Sequence, residues 1–500
     1  MKSIVIAGAL ALGMVVPALA GAGPHSAHAV AVATATPIPK PTAKTLPYPA
    51  YGTPAPGIAS GAPVPGVPQD ITLGQAVNIA VAKSPVLASA RGSEALANAQ
   101  VDQSRVPALP NLSGNVSTTH SRGQGTPVST GGNGTGGTGG TGGTGRQSGG
   151  NFTQNTISAN LRQLIFDGGR VAAQIRAARE NQQGAVATYR RNLQTVTFNV
   201  ANAYYNALQA RRATVLAQQV VVQNQVQENL VLAQIRAGTA ARSDLSTAQL
   251  PTAQARVALV RAQGSELSAY AAFANTLGLD ANAYVRPIDD TPANPGASLL
   301  QAPLLGYDTA MTRALALRPD YEAASRNLSG AQESLRAARL GLFPSLTGNG
   351  GYGTSSTNAS GGDFRNSGSL GAAIAIPIFD QGQTKASKEQ AQAQLDIARA
   401  NLQISRLGIG LGVQQALVNL VSAQAAVAQT QAELAKAQDV LRATQAQYRA
   451  GVTTLPLLLN AQVGITQAQT DQLNAVYTLR QAEQTYLFAL GENDIADTSR

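Results

Sequence analysis

The residues that most often do chemistry are few in this chain. It has three histidines, His25, His28 and His120, and no cysteine. Without cysteine there are no disulfides, thiol nucleophiles, thiolate metal sites or N-terminal lipid-modified cysteine. His25 and His28 fall in a leader or linker, and His120 falls in a polar stretch read as an outer loop. None has a second ligand or base near it in sequence, so no metal or acid–base site is expected. Asp289-Asp290, and the separate Asp167 and Asp380, read as turn or cap residues. No GxxxxGK[ST] phosphate loop occurs. The reading is therefore of a chain that is not an enzyme, with no catalytic residue, no metal and no cofactor, whose energy must come from a partner.

The net charge of +10 invites a nucleic-acid reading. The arginines, however, are scattered singly along helical stretches, with no dense basic run and no interleaved aromatics to stack on bases. No nucleic-acid partner is expected.

Two short stretches are more informative. Residues 236–245 read RAGTAARSDL and residues 449–458 read RAGVTTLPLL. Each interrupts a long Ala/Gln-rich run, predicted helical over about 171–236 and about 384–449. A helix of that length spans roughly 100 Å at 1.5 Å per residue. Gly238 and Gly451 suit the left-handed residue that ends a helix, and Arg236 and Arg449 suit its negative C-terminal end. Ser243 or Asp244 is expected to cap the returning helix, and Pro456 suits a first helical turn. The two turns thus read as hairpin tips. Pro251 and Gly464, both helix-weakening, lie equally far past their tips, where a bend could be placed.

The tips recur because the chain is duplicated. Residues 73–115 align without a gap to 307–349, pairing Ala76 with Ala310, Pro85 with Pro319, Arg105 with Arg339 and Pro110 with Pro344. That offset is 234 residues. Further on it is 213 residues: Phe166-Asp167 meets Phe379-Asp380, Gly238 meets Gly451, and Leu277-Gly278 meets Leu490-Gly491. The change falls after Pro110, where the first copy carries the glycine tract 131–145, as expected of an exposed loop. One structural unit is built twice and packs on its twin.

Each copy reads as helix, strand, loop, strand and long helical hairpin. The opening helices are predicted over about 73–106 and 307–341, ended by Pro107, Pro110 and Pro344. In TISANLRQLIF, Ile157, Ala159 and Leu161 alternate with Ser158, Asn160 and Arg162. In GSLGAAIAIPIF, Leu370, Ala372, Ile374, Ile376 and Ile378 share one face. Such alternation fits a lipid-embedded barrel strand or a soluble sheet packed on one side.

Composition fits long close-packed helices rather than large-residue cores: tryptophan is absent, aromatics are 4% and charged residues 12%. At the N-terminus, Lys2, the apolar run IVIAGALALGMVV and Ala18-Leu19-Ala20 read as an export signal over 1–20. Ala27-His28-Ala29 is an alternative cleavage site, ending the signal at 29. Residues 21–69 read as a linker, with ten prolines between 30 and 69 and extended character. The first repeat is placed at 70–295, the second at 296–491 and a tail at 492–500. No later segment is read as apolar enough to span a membrane, which does not exclude barrel strands.

Signal, duplication, the FDGGR and FDQGQ junctions and the RAG tips together resemble the TolC-like outer-membrane efflux proteins, or outer membrane factor family, from about Leu73 to Gly491. The resemblance implies a mainly α fold with a membrane β-barrel portion. In it, long coiled-coil hairpins form a trimeric α-barrel continuous with a twelve-stranded β-barrel, four strands per protomer. It implies a homotrimer in the outer membrane lipid, with a periplasmic tunnel. The partners implied are a periplasmic adaptor (membrane fusion) protein and an inner-membrane pump, the chain being the passive exit duct of a tripartite efflux or type I secretion system. Four strands cannot close a barrel, and an open edge is not tolerated in lipid, which agrees with trimerisation. By position, gate and adaptor docking would fall on Ala237, Gly238 and Thr239 and on Ala450, Gly451 and Val452. Asp244 and Tyr448 fall where family members place gate-holding hydrogen bonds. Leu457 and Asn460 replace acids often found past the second tip, implying an apolar constriction, or simple packing of the hairpin by Leu457 to Leu459. The alternative from another class is a non-conducting trimeric coiled coil or surface fibre.

Overall fold

The computed structural model describes residues 70–121, 152–288, 304–357 and 362–492. The leader, the proline-rich linker, the tract 131–145, Asp289-Asp290 and the chain beyond 492 lie outside the described residues.

The first copy runs β1 (Asp70–Ile71), α1 (Leu73–Lys83), α2 (Pro85–Arg105), β2 (Asn111–Ser121), β3 (Phe152–Phe166), α3 (Arg170–Arg236), α4 (Arg242–Thr276) and β4 (Arg286–Pro287). The second runs α5 (Tyr307–Leu317), α6 (Pro319–Arg339), β5 (Ser345–Thr357), β6 (Arg365–Ala375), α7 (Gln383–Arg449) and α8 (Leu455–Leu490). α3 and α7 are each 67 residues long, roughly 100 Å.

The opening helices of both copies depart from expectation. Each is two helices, broken at Ser84 and at Arg318, whose backbones are extended at ψ 121° and 119°. Pro85 and Pro319 cause this: a proline has no N–H to donate and pushes the residue before it out of the helical region. β6 also stops early, at Ala375, leaving Ile376 and Ile378 exposed beyond the strand, beside Pro377. His120 lies within β2, not in a loop, with Nδ1 2.7 Å from the Thr153 hydroxyl oxygen. The short parallel pair β1–β4, clamped by the Arg286–Asp70 fork, has no signal in the sequence pattern. α7 is, by length and composition, apolar enough to cross a membrane, contrary to the expectation that no later segment is.

The long sheet has the order β2-β3-β5-β6, antiparallel throughout. Its register carries the duplication. Asn111 faces Arg162 in one pair and Ser345 faces Ala375 in the other, and the offsets of 234 and 213 map one onto the other. Register places Leu112, Val116, Ile157, Leu161, Leu370 and Ile374 on one face. The opposite face holds Ser113, Ser158, Asn160, Thr347, Ser367 and Ser369. All six of those apolar residues are exposed.

The helices pack α3 against α4 and α6, and α7 against α8 and α6. Between α3 and α6 the surfaces approach closely at a reciprocal motif: Asn181-x-x-Gly184 on one helix and Asn327-x-x-Gly330 on the other. A Cβ on Gly184 would stand 2.7 Å from the Asn327 side-chain oxygen, and one on Gly330 would collide with that of Asn181. Ion pairs flank the contact: Arg176–Glu333 at 2.8 Å, Glu180–Arg326 at 3.4 Å and Arg190–Glu322 at 3.3 Å. Each is partly exposed and worth at most about 1 kcal/mol, so they set register more than stability.

Above this contact, the C-terminal end of α8 is held by α3 and by the α5–α6 break. The Arg191 guanidinium lies 3.8 Å above the Phe488 ring centroid, Gln194 donates to the Gly491 carbonyl, and Arg318 donates to that of Ala489. Two apolar cores follow. One gathers Tyr204, Leu208, Phe273 and Leu277, and the other Ile409, Leu420, Leu479 and Leu490. Within α8, Arg480 and Glu483 are fully buried and paired at 3.1 Å.

Candidate functional site: the hairpin tips and the four-stranded sheet

Both tips end in the same backbone structure. Gly238 and Gly451 are left-handed, at φ +75° and +73°. Gly238 N–H donates to the Ile235 carbonyl and Thr239 N–H to that of Gln234; Gly451 and Val452 do the same to Tyr448 and Gln447. This is a Schellman closure, which satisfies the last helical carbonyls, and the Thr239 hydroxyl adds a second bond to Gln234. Arg236 and Arg449 are the last helical residues, as expected.

The returning helices begin differently from expectation. α4 has Ala241 as its N-cap, with no side-chain cap, and Ser243 and Asp244 lie inside its first turn. The carboxylate therefore faces the positive end of the helix without capping it. α8 starts after Thr454, with Pro456 in its first turn. α4 and α8 run unbroken through Pro251 and Gly464.

Within the chain the two tips lean on one another. Val231, Ala248 and Leu455 are buried together, flanked by Ile235, Tyr448 and Leu459. The Tyr448 hydroxyl donates to the Gln234 side-chain oxygen at 2.9 Å. Burial and the charge of nearby Asp244 raise the Tyr448 pKa, with the bond to Gln234 opposing them. Tyr448 and Asp244 thus share an electrostatic neighbourhood, while the hydroxyl is spent on Gln234, a partner the sequence did not single out. Leu458 is buried and Leu459 packs on the tip cluster, but Leu457 is 51% exposed and Asn460 is exposed beside it. Ala237, Gly238, Thr239, Ala450, Gly451 and Val452 are all exposed.

At the opposite ends of the long helices, Asp167 and Asp380, read as turn or cap residues, lie in the turns just before the N-caps Gly169 and Gly382. Asp167 accepts from the Gly169 and Val171 amides, and Asp380 from those of Gly382 and Thr384. Each thereby ties the segment that follows a strand to the first turn of a 67-residue helix.

The fold thus joins a four-stranded antiparallel sheet, apolar and exposed on one face, to helical hairpins whose longer arms span roughly 100 Å. The chain belongs to the outer membrane efflux protein family, whose model matches residues 76–279 and 310–492. It is 26% identical over 339 residues to the outer membrane efflux protein BepC of Brucella suis, covering 66% of this chain and 72% of that one. To protein CyaE of Bordetella pertussis it is 27% identical over 453 residues, 89% of each. A solved structure of CusC shares the fold at TM-score 0.72 and 21% identity, over 84% of this chain and 92% of that one. The protein is thus a TolC-like outer-membrane efflux or secretion channel and not an enzyme, with its helical part in the periplasm.

Proposed function

We propose that this channel is the passive exit duct of a tripartite export assembly, as a homotrimer gated at its helical tips and docked there to a periplasmic adaptor fed by an inner-membrane pump. The observation that carries the reading is the sheet. Among the described residues nothing covers its apolar face, and β2 and β6 each keep one unpaired edge. Unpaired backbone edges are not tolerated in lipid, so four strands must join others to close a barrel. Three copies supply twelve strands and bring six hairpins to one ring. On this reading Ala237 to Thr239 and Ala450 to Val452 meet the adaptor, while Leu457 and Asn460 line an uncharged constriction that Tyr448 and Asp244 help hold shut.

The test is purified full-length protein in detergent and in planar bilayers. A trimeric mass with ion conductance is expected, whereas a trimer that never conducts would favour the coiled-coil scaffold instead. At the tips, Gly238→Val or Gly451→Val places a β-branched residue at positive φ, at a cost of roughly 1–2 kcal/mol. Export should fall with trimers intact; unchanged export from both variants would remove gate and docking from these turns.

A further inference from the structure

The four strands of the long sheet carry little charge, and all of it has one sign. They hold no aspartate or glutamate, and their charged side chains are Arg162 in β3 and Arg365 in β6. Register puts both on one face. Arg162 lies in a row with Asn111, Asn349 and Gly371, and Arg365 in a row with Ser355, Thr156 and Ser117. This is the face of Ser158, Asn160 and Ser369, opposite Leu161 and Leu370. Both arginines are exposed, and their row neighbours are amides, hydroxyls and a glycine. Among the described residues no carboxylate pairs with either. An arginine that gripped lipid headgroups would sit beside Leu161 or Leu370. These two are on the other side.

We propose that Arg162 and Arg365 make the outer segment of the duct selective for anions, so that the solutes it favours are anionic. This rests on the closed-barrel reading above, in which the apolar face meets lipid and the opposite face meets the lumen. Twelve strands about 4.8 Å apart, tilted about 40°, close at a radius of roughly 12 Å. A guanidinium on its long stem reaches well inside that radius. At about 0.1 M salt the Debye length is about 10 Å, so its charge is felt across the lumen. Each arginine, repeated by every copy, becomes a ring. Thr156, in the Arg365 row, and Arg162 are six residues apart in β3, so the two rings lie roughly 20 Å apart along the strand. A passage lined by one sign of charge concentrates ions of the other.

The hairpin tips carry the same sign. Residues 236–245 hold Arg236, Arg242 and Asp244, and residues 449–460 hold Arg449 and no carboxylate. Arg236, Arg242 and Arg449 are exposed, whereas Asp244 is half-buried. Three arginines against one aspartate leave the tips electropositive. The sheet and the tips, at opposite ends of the long helices, therefore favour the same class of ion.

The test is the reversal potential of the full-length protein in planar bilayers under a potassium chloride gradient. Chloride should permeate several-fold better than potassium near 0.1 M salt. The preference should shrink near 1 M, where the Debye length falls to about 3 Å. Arg162→Gln with Arg365→Gln should bring the reversal potential close to zero, with conductance and trimeric mass retained, and each single variant should shift it part of the way. Arg162→Glu with Arg365→Glu should reverse its sign. Arg162→Lys with Arg365→Lys keeps the charge and should keep the selectivity. Potassium preference in the unaltered protein overturns the proposal, and so does a chloride preference that survives the glutamine pair or is lost in the lysine pair. A protein that never conducts overturns instead the duct reading on which the proposal rests.

Discussion

α3 and α7 are the same length, start after the same left-handed glycine and end in the same Schellman turn, yet they live in different surroundings. α3 buries 17 residues and α7 buries 10: α3 packs on helices of both copies, α1, α2 and α4 of the first and α6 and α8 of the second, whereas α7 packs mainly on α5, α6 and α8 of its own copy. Their sequences record this. Where α3 carries Gly184, Arg191 and Gln194 for close approach and polar clamping, α7 carries Ile397, Ile404 and Leu407. The duplicated helices share a backbone plan but differ in the chemistry of the surface they offer. The exposed apolar residues Ile397, Ile404, Leu411 and Val418 of α7 fall at heptad spacing, the pattern of a coiled-coil seam.

The largest expected effect breaks the comparison inside the returning helices. Arg480 of α8 is fully buried with Glu483, whereas its counterpart Leu267 of α4 is 42% exposed. Arg480→Ala leaves Glu483 buried without its guanidinium and should cost about 3–5 kcal/mol, seen as a lower denaturation midpoint and poor recovery from membranes. Replacing both, Arg480→Met with Glu483→Leu, should recover most of that loss. If Arg480→Ala unfolds no more easily than Leu267→Ala, the pair has no special structural weight.

A middle-sized effect is expected at the α3–α6 crossing. Gly330→Leu installs the residue that its counterpart Leu96 already is, but against Asn181 it forces the helices apart. Overpacking of this kind costs roughly 1–3 kcal/mol. The denaturation midpoint should fall, and truncating Asn181 to Ala in the same chain should restore part of it. No rescue would mean that the close approach at Gly330 is not what limits the site.

The smallest concerns charge. Burial resists ionisation of Asp320, but the Arg318 fork and the charges of Arg318 and Arg191 outweigh it and hold its pKa below the ordinary value. Burial, with the charge of Arg318, lowers Arg191 to about 10, Asp320 opposing them; Arg191 therefore stays charged at neutral pH. A depressed carboxylate stabilises the fold above its unfolded pKa, near 4, and that contribution is lost as pH falls through the lower folded value. Acidification below about pH 4 should weaken the α3–α6 clamp by a few tenths to about 1 kcal/mol. Asp320→Asn should be less stable at neutral pH and should lose less on acidification. An equal acid loss in both proteins would place the titrating group elsewhere.

The sequence alone determined the repeated plan. The two offsets, the alternation in β3 and β6, the length of the helices, the left-handed glycines at the tips and the Asp167 and Asp380 turns are all local, so periodicity and residue type reveal them. Pro85 and Pro319 could have revealed the split opening helices, because a proline inside a helical pattern bars the residue before it. Tertiary structure alone decided the rest. That Tyr448 spends its hydroxyl on Gln234, that Arg480 is buried while Leu267 is not, and that α3 also packs on α6 and α8 of the second copy while Ile397, Ile404 and Leu411 of α7 stay exposed are long-range facts. Each depends on which surface arrives from elsewhere in the chain, and the two copies, alike in local propensity, meet different surroundings once they pack.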